Sequence, residues 1–140
     1  MSKKRWALVF SPKSLPKPSV PDDLKAKVLS EADEFVEDFL KPNFVKKPPK
    51  KWRWNYIIDI HAKWHGSFFY FIATFRSPGP HALSPTFEAP FTRLEYVGKR
   101  RFNMAYMRHT GKWWEVYQKL SLDKCLKVIK EEDIFQPVKS

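Results

Sequence analysis

The chain has 140 residues, a length typical of one domain with a sizeable core. Its 43% hydrophobic and 16% aromatic content excludes general disorder, and 12 Phe, 6 Trp and 5 Tyr favour a strand-rich fold. The net charge of +11 favours a polyanionic partner such as nucleic acid or an anionic membrane surface, although an ordinary solvated basic surface has the same composition.

Cysteine content and hydropathy exclude several classes of protein. The single cysteine, Cys125, rules out an intrachain disulfide and a cysteine-rich zinc site, and it suits a reducing compartment. The apolar run at residues 6–10 is too short for the core of a signal peptide. No stretch reaches the ~20 apolar residues of a membrane span. We therefore expect a soluble, cytoplasmic protein with no membrane partner.

The N-terminal part is predicted to be a basic, proline-rich arm followed by one helix. The arm covers residues 1–20, where three prolines favour an extended connection. Ser19 as the cap and a proline at residue 21 predict a helix over residues 21–40, ended by Pro42. Its apolar stripe has helical spacing and consists of Leu24, Val28, Ala32, Phe35, Val36 and Phe39. The lysines and prolines of residues 42–53 predict an extended basic connector.

Residues 54–76 predict a hairpin with two different faces. Alternation with a period of two indicates a half-buried strand, and a turn at His65-Gly66 would pair Ile60 with Phe71 and Ala62 with Phe69. The face with the pattern of a core consists of Trp54, Tyr56, Ile58, Ile60, Ala62 and Trp64. The opposite face would mix charged, imidazole and aromatic groups: Asp59, His61, Lys63, Phe68, Tyr70 and Ile72.

A proline-rich loop over residues 77–90 and a third strand at 91–97 lead to a second hairpin over residues 102–118. Two registers are open for this hairpin. A two-residue loop at Thr110-Gly111 places Arg108 opposite Trp113, whereas a three-residue turn with Gly111 in the left-handed region shifts the pairing by one. In either register we expect Trp113 and Tyr117 on one face, with Trp114 and Val116 on the other.

A last helix begins after Ser121, whose hydroxyl is a suitable cap. These elements predict an α+β fold in which an antiparallel meander sheet of about five strands is flanked by an N-terminal and a C-terminal helix. The domain is expected over residues 21–135, with a tail at 136–140. Its predicted core consists of Phe35, Phe39, Ile58, Ile60, Phe69, Phe71, Leu122, Cys125, Leu126 and Ile129.

The second hairpin carries Trp113-Trp114 in its second arm and is followed by a Leu-Ser-Leu-Asp helix start at residues 120–123. In these features the chain resembles an uncharacterised family of small prokaryotic domains of unknown function. The resemblance covers roughly the last third of the chain. It implies an aromatic hairpin followed by a short helix, and no activity, cofactor or catalytic residue.

Residues with catalytic or metal-binding chemistry form no convincing set. His61 and His65 have the spacing of a zinc pair, but that spacing brings two rings together on a helix and not on a strand. Asp59 and His61 share a strand face, as in a carboxylate-oriented imidazole, yet no nucleophile accompanies them because Cys125 belongs to the buried stripe. We expect no metal and no cofactor, and an enzyme is the third hypothesis.

Basic residues interleaved with aromatic ones are the stronger signal. Cations along a groove and exposed rings are the features that hold single-stranded nucleic acid, and this is the first hypothesis. Arg108 beside Trp113 is equally explained as a cation–π pair. The alternative is a protein-interaction module or homo-oligomer that uses the aromatic sheet face. The candidate nucleic-acid-binding residues are Lys63, Phe68, Tyr70, Arg76, Lys99, Arg100, Arg101, Arg108 and Trp113, with residues 46–53 and 99–101 bordering one groove.

Overall fold

A computed structural model describes residues 18–45, 55–77 and 86–137. Five strands lie in sequence order in one antiparallel sheet, which confirms the predicted α+β meander: β1 (Tyr56–His65), β2 (Phe68–Arg76), β3 (Thr86–Tyr96), β4 (Phe102–Met107) and β5 (Trp113–Leu120). An N-terminal helix precedes them and a C-terminal helix, Leu122–Glu131, follows. Most of the expected N-terminal arm, basic connector and proline-rich loop lies outside the described residues. The third strand begins at Thr86, however, so the prediction that residues 86–90 belong to the loop is wrong.

The N-terminal helix continues beyond its predicted end. It has an α segment (Asp22–Phe35), a π turn (Val36–Leu40) and a last α turn (Lys41–Phe44). A proline removes one donor and crowds the carbonyl four residues earlier. The wider π turn accommodates Pro42, and the side-chain amide of Asn43 donates to the Phe39 carbonyl at 2.7 Å. The prediction that Pro42 ends the helix is therefore wrong.

The start of that helix also differs from the prediction. Pro21 occupies the N-cap with extended dihedrals, and its carbonyl accepts from the Lys25 amide at 2.9 Å. No side chain caps this end, so Ser19 does not have its expected role. Asp22 and Asp23 place negative charge in the first turn, where it interacts favourably with the positive end of the helix dipole.

The first hairpin has the predicted faces with a different register. Its turn lies at Gly66-Ser67, with Gly66 at φ 62°, so that Ala62 pairs with Phe71 and Ile60 with Ala73. The pairing is thus shifted by two residues from the expected one. Because side chains alternate with a period of two, such a shift leaves each residue on its original face.

A bulge near Ile58 changes the lower part of β1. The pairing passes from Ile57 opposite Phe75 to Asp59 opposite Thr74, which leaves Ile58 without its own partner. An inserted residue reverses the faces below it. Ile57 is therefore in the core at 5% exposure and Ile58 is only half-buried, so the core prediction for Ile58 is wrong.

The second hairpin adopts the three-residue alternative. The Arg108 amide donates to the Lys112 carbonyl, Gly111 has φ 83°, and Met107 pairs with Trp113. A bulge follows near Val116. For this reason Trp113 and Tyr117 lie on opposite faces, and the expectation that they share one is wrong: Trp113 packs on Tyr70, whereas Tyr117 packs on Phe135.

Both helices pack on one face of the sheet, and the core lies between them. Phe69 and Phe71 are fully buried there, and Phe35, Phe39 and Leu126 pack against the core as half-buried residues. The Ser121 hydroxyl accepts from the Lys124 amide at 3.3 Å, as predicted for the cap of the C-terminal helix. A 3₁₀ turn, Asp133–Phe135, follows and packs against the core. It is held there by the buried Thr92 hydroxyl, which donates a hydrogen bond to the Phe135 carbonyl at 2.7 Å. In the described ranges, no helix is long and apolar enough to cross a membrane.

The burial of Phe71 gives the first prediction. Replacing Phe71 with Ala removes a fully buried ring and should lower the free energy of unfolding by ~3–5 kcal/mol. Phe87, 39% exposed and stacked on Phe75, is the matched control, and Phe87→Ala should cost about 1 kcal/mol. Urea unfolding followed by fluorescence measures both. Equal losses for the two variants would contradict the core described above.

The uncovered sheet face as a candidate binding site

The second face of the sheet carries no helix in the described part of the chain, and we call it the uncovered face. Its middle row follows from the strand register and runs across all five strands: Lys63, Tyr70, Arg93, Ala105 and Glu115. Ala105 is only 2% exposed, because larger side chains beside it lie across it. The face is thus a set of long side chains over a small central residue.

Arg93 lies at the centre of this face between two aromatic rings. Its guanidinium carbon is 4.7 Å from the centroid of the Phe68 ring and 5.1 Å from that of Trp113. Tyr70 completes the cluster, with ring centroids 6.2 Å from Phe68 and 5.8 Å from Trp113. A guanidinium over ring faces gains cation–π attraction, and the rings restrict its orientation.

The hydrogen-bonding capacity of Arg93 is not used by its surroundings. Among the residues that the structure describes, none accepts a hydrogen bond from its side chain or forms an ion pair with it, and Nε is buried without a partner. A guanidinium has five N–H donors, and each buried donor without an acceptor costs ~1–3 kcal/mol. The centre of the uncovered face therefore holds a fixed positive charge that an anionic acceptor would stabilise.

Several of the sequence-predicted site residues share this face. Lys63 is opposite Tyr70, and Phe68 and Trp113 contact Arg93. Arg76, opposite Thr86 in the register, lies on the same face nearer the end of β2. The structure thus brings together the aromatic and basic members that lie on β1, β2 and β5.

Arg108 is placed differently from the expectation. Its guanidinium lies 4.8 Å from the centroid of Trp114, not beside Trp113. The cause is the three-residue loop, which moves Trp113 opposite Met107. A cation–π pair involving Arg108 exists as foreseen, but it has a different ring and is separate from the Arg93 cluster.

The basic turn Lys99–Arg101 lies toward the helices. Arg100 is 3.5 Å from the carboxylate of Asp23 at the start of the N-terminal helix. The turn lines a cavity of about 320 Å³ together with Leu24 and Ser121, which belong to the helix-covered side. Residues 46–53, which were expected to border the same groove, lie outside the described residues.

Arg93, the residue with the most informative surroundings, is not among the binding residues predicted from the sequence. A signal for it existed, since β3 alternates buried Thr92, Leu94 and Tyr96 with Arg93 and Glu95. A basic residue in the middle of a central strand faces side chains of both neighbouring strands. The neighbours of Arg93 on the two adjacent strands, Tyr70 and Ala105, are known only from the strand register of the structure.

The groups considered for catalysis are not assembled as a catalytic set. Asp59 pairs with Lys41 at 3.3 Å, and His61 lies 3.8 Å from Glu88 instead. The pKa of Lys41 is raised, chiefly by its hydrogen bond to Glu37 at 2.6 Å and further by Asp59. Within the described ranges, no group of three or more His, Cys, Asp or Glu residues could hold a metal ion.

A family model described as a domain of unknown function, DUF3024, matches residues 20–137. The chain belongs to this family. The match begins before the N-terminal helix, so the resemblance seen in the last third extends over most of the chain. No curated protein and no solved structure matches the chain. The description of this family names no activity.

The environment of Cys125 gives the second prediction. Desolvation raises the pKa of its thiol to about 12, so almost no thiolate forms near pH 8, and native protein should react with a thiol reagent far more slowly than unfolded protein. Because folding raises the pKa of this thiol, its contribution to the free energy of unfolding is fully present below the ordinary thiol pKa. That contribution is lost as the pH rises from the ordinary pKa through the pKa of the folded state, about 12. Rapid labelling of native protein would contradict the burial.

Proposed function

We propose that the protein binds single-stranded nucleic acid on its uncovered face, with Arg93 as the central phosphate contact. The observation that carries the proposal is the Arg93 guanidinium, held between Phe68 and Trp113 and without an acceptor in the described ranges. Guanidinium groups match the geometry of phosphate oxygens, and a pre-oriented group loses less conformational entropy on binding. A phosphate placed here would accept hydrogen bonds from the terminal amino groups of this guanidinium, because Nε itself is buried.

Further cations on the same face extend this contact along a strand of nucleic acid. Lys63 is in the same row as Arg93, and Arg76 lies farther along β2. Each phosphate that a cation neutralises releases counterions, which supplies affinity without reading sequence. Glu95 and Glu115 lie on the same face and repel phosphates, so the path proposed here follows the basic and aromatic side chains between them.

The aromatic side chains beside Arg93 provide surfaces for bases. Tyr70 and Trp113 are half-buried, which leaves part of each ring accessible. A base stacked on such a ring contributes ~1–3 kcal/mol with little sequence preference. Rings and cations in alternation suit a flexible polyanion with flat bases better than a rigid duplex, whose bases are already stacked on one another.

We further propose that Lys99, Arg100 and Arg101 bind phosphates of the nucleic acid at the point where it extends beyond the uncovered face. The ion pair between Arg100 and Asp23 does not prevent this, because both side chains are more than half exposed, at 53% and 73%. Exposed pairs of this kind contribute ~0–1 kcal/mol and exchange readily for a phosphate. The turn also leaves Lys99 exposed beside them.

The third prediction concerns Arg93. Titrating a labelled single-stranded oligonucleotide at two salt concentrations should show that Arg93→Gln weakens binding about tenfold and lowers the salt slope by about one phosphate contact. Lys127→Gln is the control, because it removes one exposed positive charge from the C-terminal helix. It should change the affinity by less than about twofold. Wild-type protein that does not bind near physiological salt, or two variants with equal effects, would refute the proposal.

The fourth prediction separates stacking from charge. Tyr70→Ala should weaken oligonucleotide binding about tenfold while the salt slope stays unchanged, because a ring releases no counterions. The triple variant K99A/R100A/R101A should instead weaken binding and flatten the salt dependence. The same titrations measure both variants. A flattened slope for Tyr70→Ala would show that its effect arises from disturbance of Arg93 and not from a stacked base.

A protein partner is the second candidate, and it is supported by a different surface. Trp114 is 53% exposed and Val116 is 39% exposed, and both lie on the edge strand β5. Neighbouring exposed apolar groups of this kind favour protein contacts. Apolar association responds weakly to salt, so a complex unaffected by ionic strength but lost in Trp114→Glu would favour this candidate over nucleic acid.

A further inference from the structure

A groove lies on the other side of the sheet, beyond the area that the helices cover. Its volume is about 650 Å³, within the range of small-molecule sites. Side chains of β2 and β3 line one part of it, including Phe75 and Phe91, and Ile134 and Pro137 of the C-terminal segment line another. These are apolar surfaces, and Phe75 and Phe91 are each 8% exposed, so a small part of each ring faces the groove.

The position of the groove follows from the helix paths. The N-terminal helix packs along β1, and the C-terminal helix and its 3₁₀ turn pack on β4. Thr92 holds that 3₁₀ turn through its bond to the Phe135 carbonyl, and Ile134 next to it is 46% exposed. The floor of the groove is therefore the part of β2 and β3 that neither helix covers. The hydrogen bond between Thr92 and Phe135 holds the 3₁₀ turn that forms its wall.

The wall of the groove carries one cation that could bind an anion. Arg108 and His109, from the loop between β4 and β5, lie on this wall, and among the described lining residues the exposed Asp133 carries the opposite charge to Arg108. The Trp114 ring restrains the Arg108 guanidinium, for which no carboxylate or other acceptor lies within bonding distance among the described residues. An apolar floor with a restrained cation at its side has the chemistry to bind a molecule with an apolar body and an acidic group.

We infer that this groove is a binding site for a small aromatic carboxylate. The flat body would lie against Phe75 and Phe91, and the carboxylate would accept hydrogen bonds from Arg108. The site is independent of the nucleic-acid proposal, because it lies on the helix side of the sheet and uses none of the Arg93 cluster.

The test uses 2-naphthoate as the probe, followed by amide shifts in ¹H–¹⁵N correlation spectra of the full chain. Two comparison ligands separate the contributions: 2-naphthalenemethanol lacks the charge, and octanoate replaces the rings by an acyl chain. We expect saturable shifts at the groove residues, with 2-naphthoate binding about tenfold more tightly than either comparison ligand.

Variants assign the contacts. Arg108→Gln should weaken 2-naphthoate about tenfold and leave 2-naphthalenemethanol unchanged, since only the charged ligand uses the guanidinium. Lys127→Gln, which removes an exposed positive charge from the C-terminal helix, is the control and should change neither. Ile134→Glu places a carboxylate at an exposed wall position, so it should weaken 2-naphthoate without unfolding the protein.

Three results would overturn the inference. The first is an absence of saturable shifts at the groove, and the second is equal binding of 2-naphthoate and its alcohol. The third is octanoate binding as tightly as 2-naphthoate, which would assign the groove to acyl chains instead. Loss of oligonucleotide binding in the Arg93 variant would leave all three measurements interpretable, because the two sites share no residue.

Discussion

The contact between Phe69 and Phe71 is the constraint on which the rest of the structure depends. The two fully buried rings meet edge to face with centroids 5.5 Å apart. Trp64 contacts Phe69, and Phe35 of the N-terminal helix contacts Phe71. These rings therefore determine which face of β2 the helices cover. Because side chains alternate along a strand, the same choice directs Phe68 and Tyr70 to the uncovered face.

The two faces consequently differ in what they offer to a ligand. On the helix side Phe69, Phe71 and Phe102 are enclosed in the core and contribute stability, whereas on the uncovered face two rings, those of Phe68 and Trp113, contact one cation. Arg93 and Arg108 both lie over tryptophan rings, but on neighbouring residues, Trp113 and Trp114, whose side chains point to opposite sides. Because side chains alternate along β5, Trp113 contacts Arg93 on one face of the sheet and Trp114 contacts Arg108 on the other.

Much of this architecture could be predicted from periodicity and turn chemistry. The order of elements, the buried Phe71 and Cys125, and the Ser121 cap follow from local patterns. The π turn before Pro42 could not, because a proline can end a helix or be accommodated within it. The bulges at Ile58 and Val116 could not either, because they arise from the fit between neighbouring strands. Arg93 was missed for the same reason: its role depends on Phe68 and Trp113, which come from two other strands.

The irregular backbone of β5 has a consequence for how copies of this chain meet. A second bulge lies between Tyr117 and Leu120, which pair with Met104 and Phe102, and Lys119 within it has φ 57°, in the left-handed region. Regular spacing of amide and carbonyl groups is needed before another strand can pair with an exposed sheet edge. Two bulges, an exposed lysine and a reversed dihedral interrupt that spacing within eight residues. A strand rich in Trp, Val and Tyr is thereby a poor template for a strand of a neighbouring molecule along this edge.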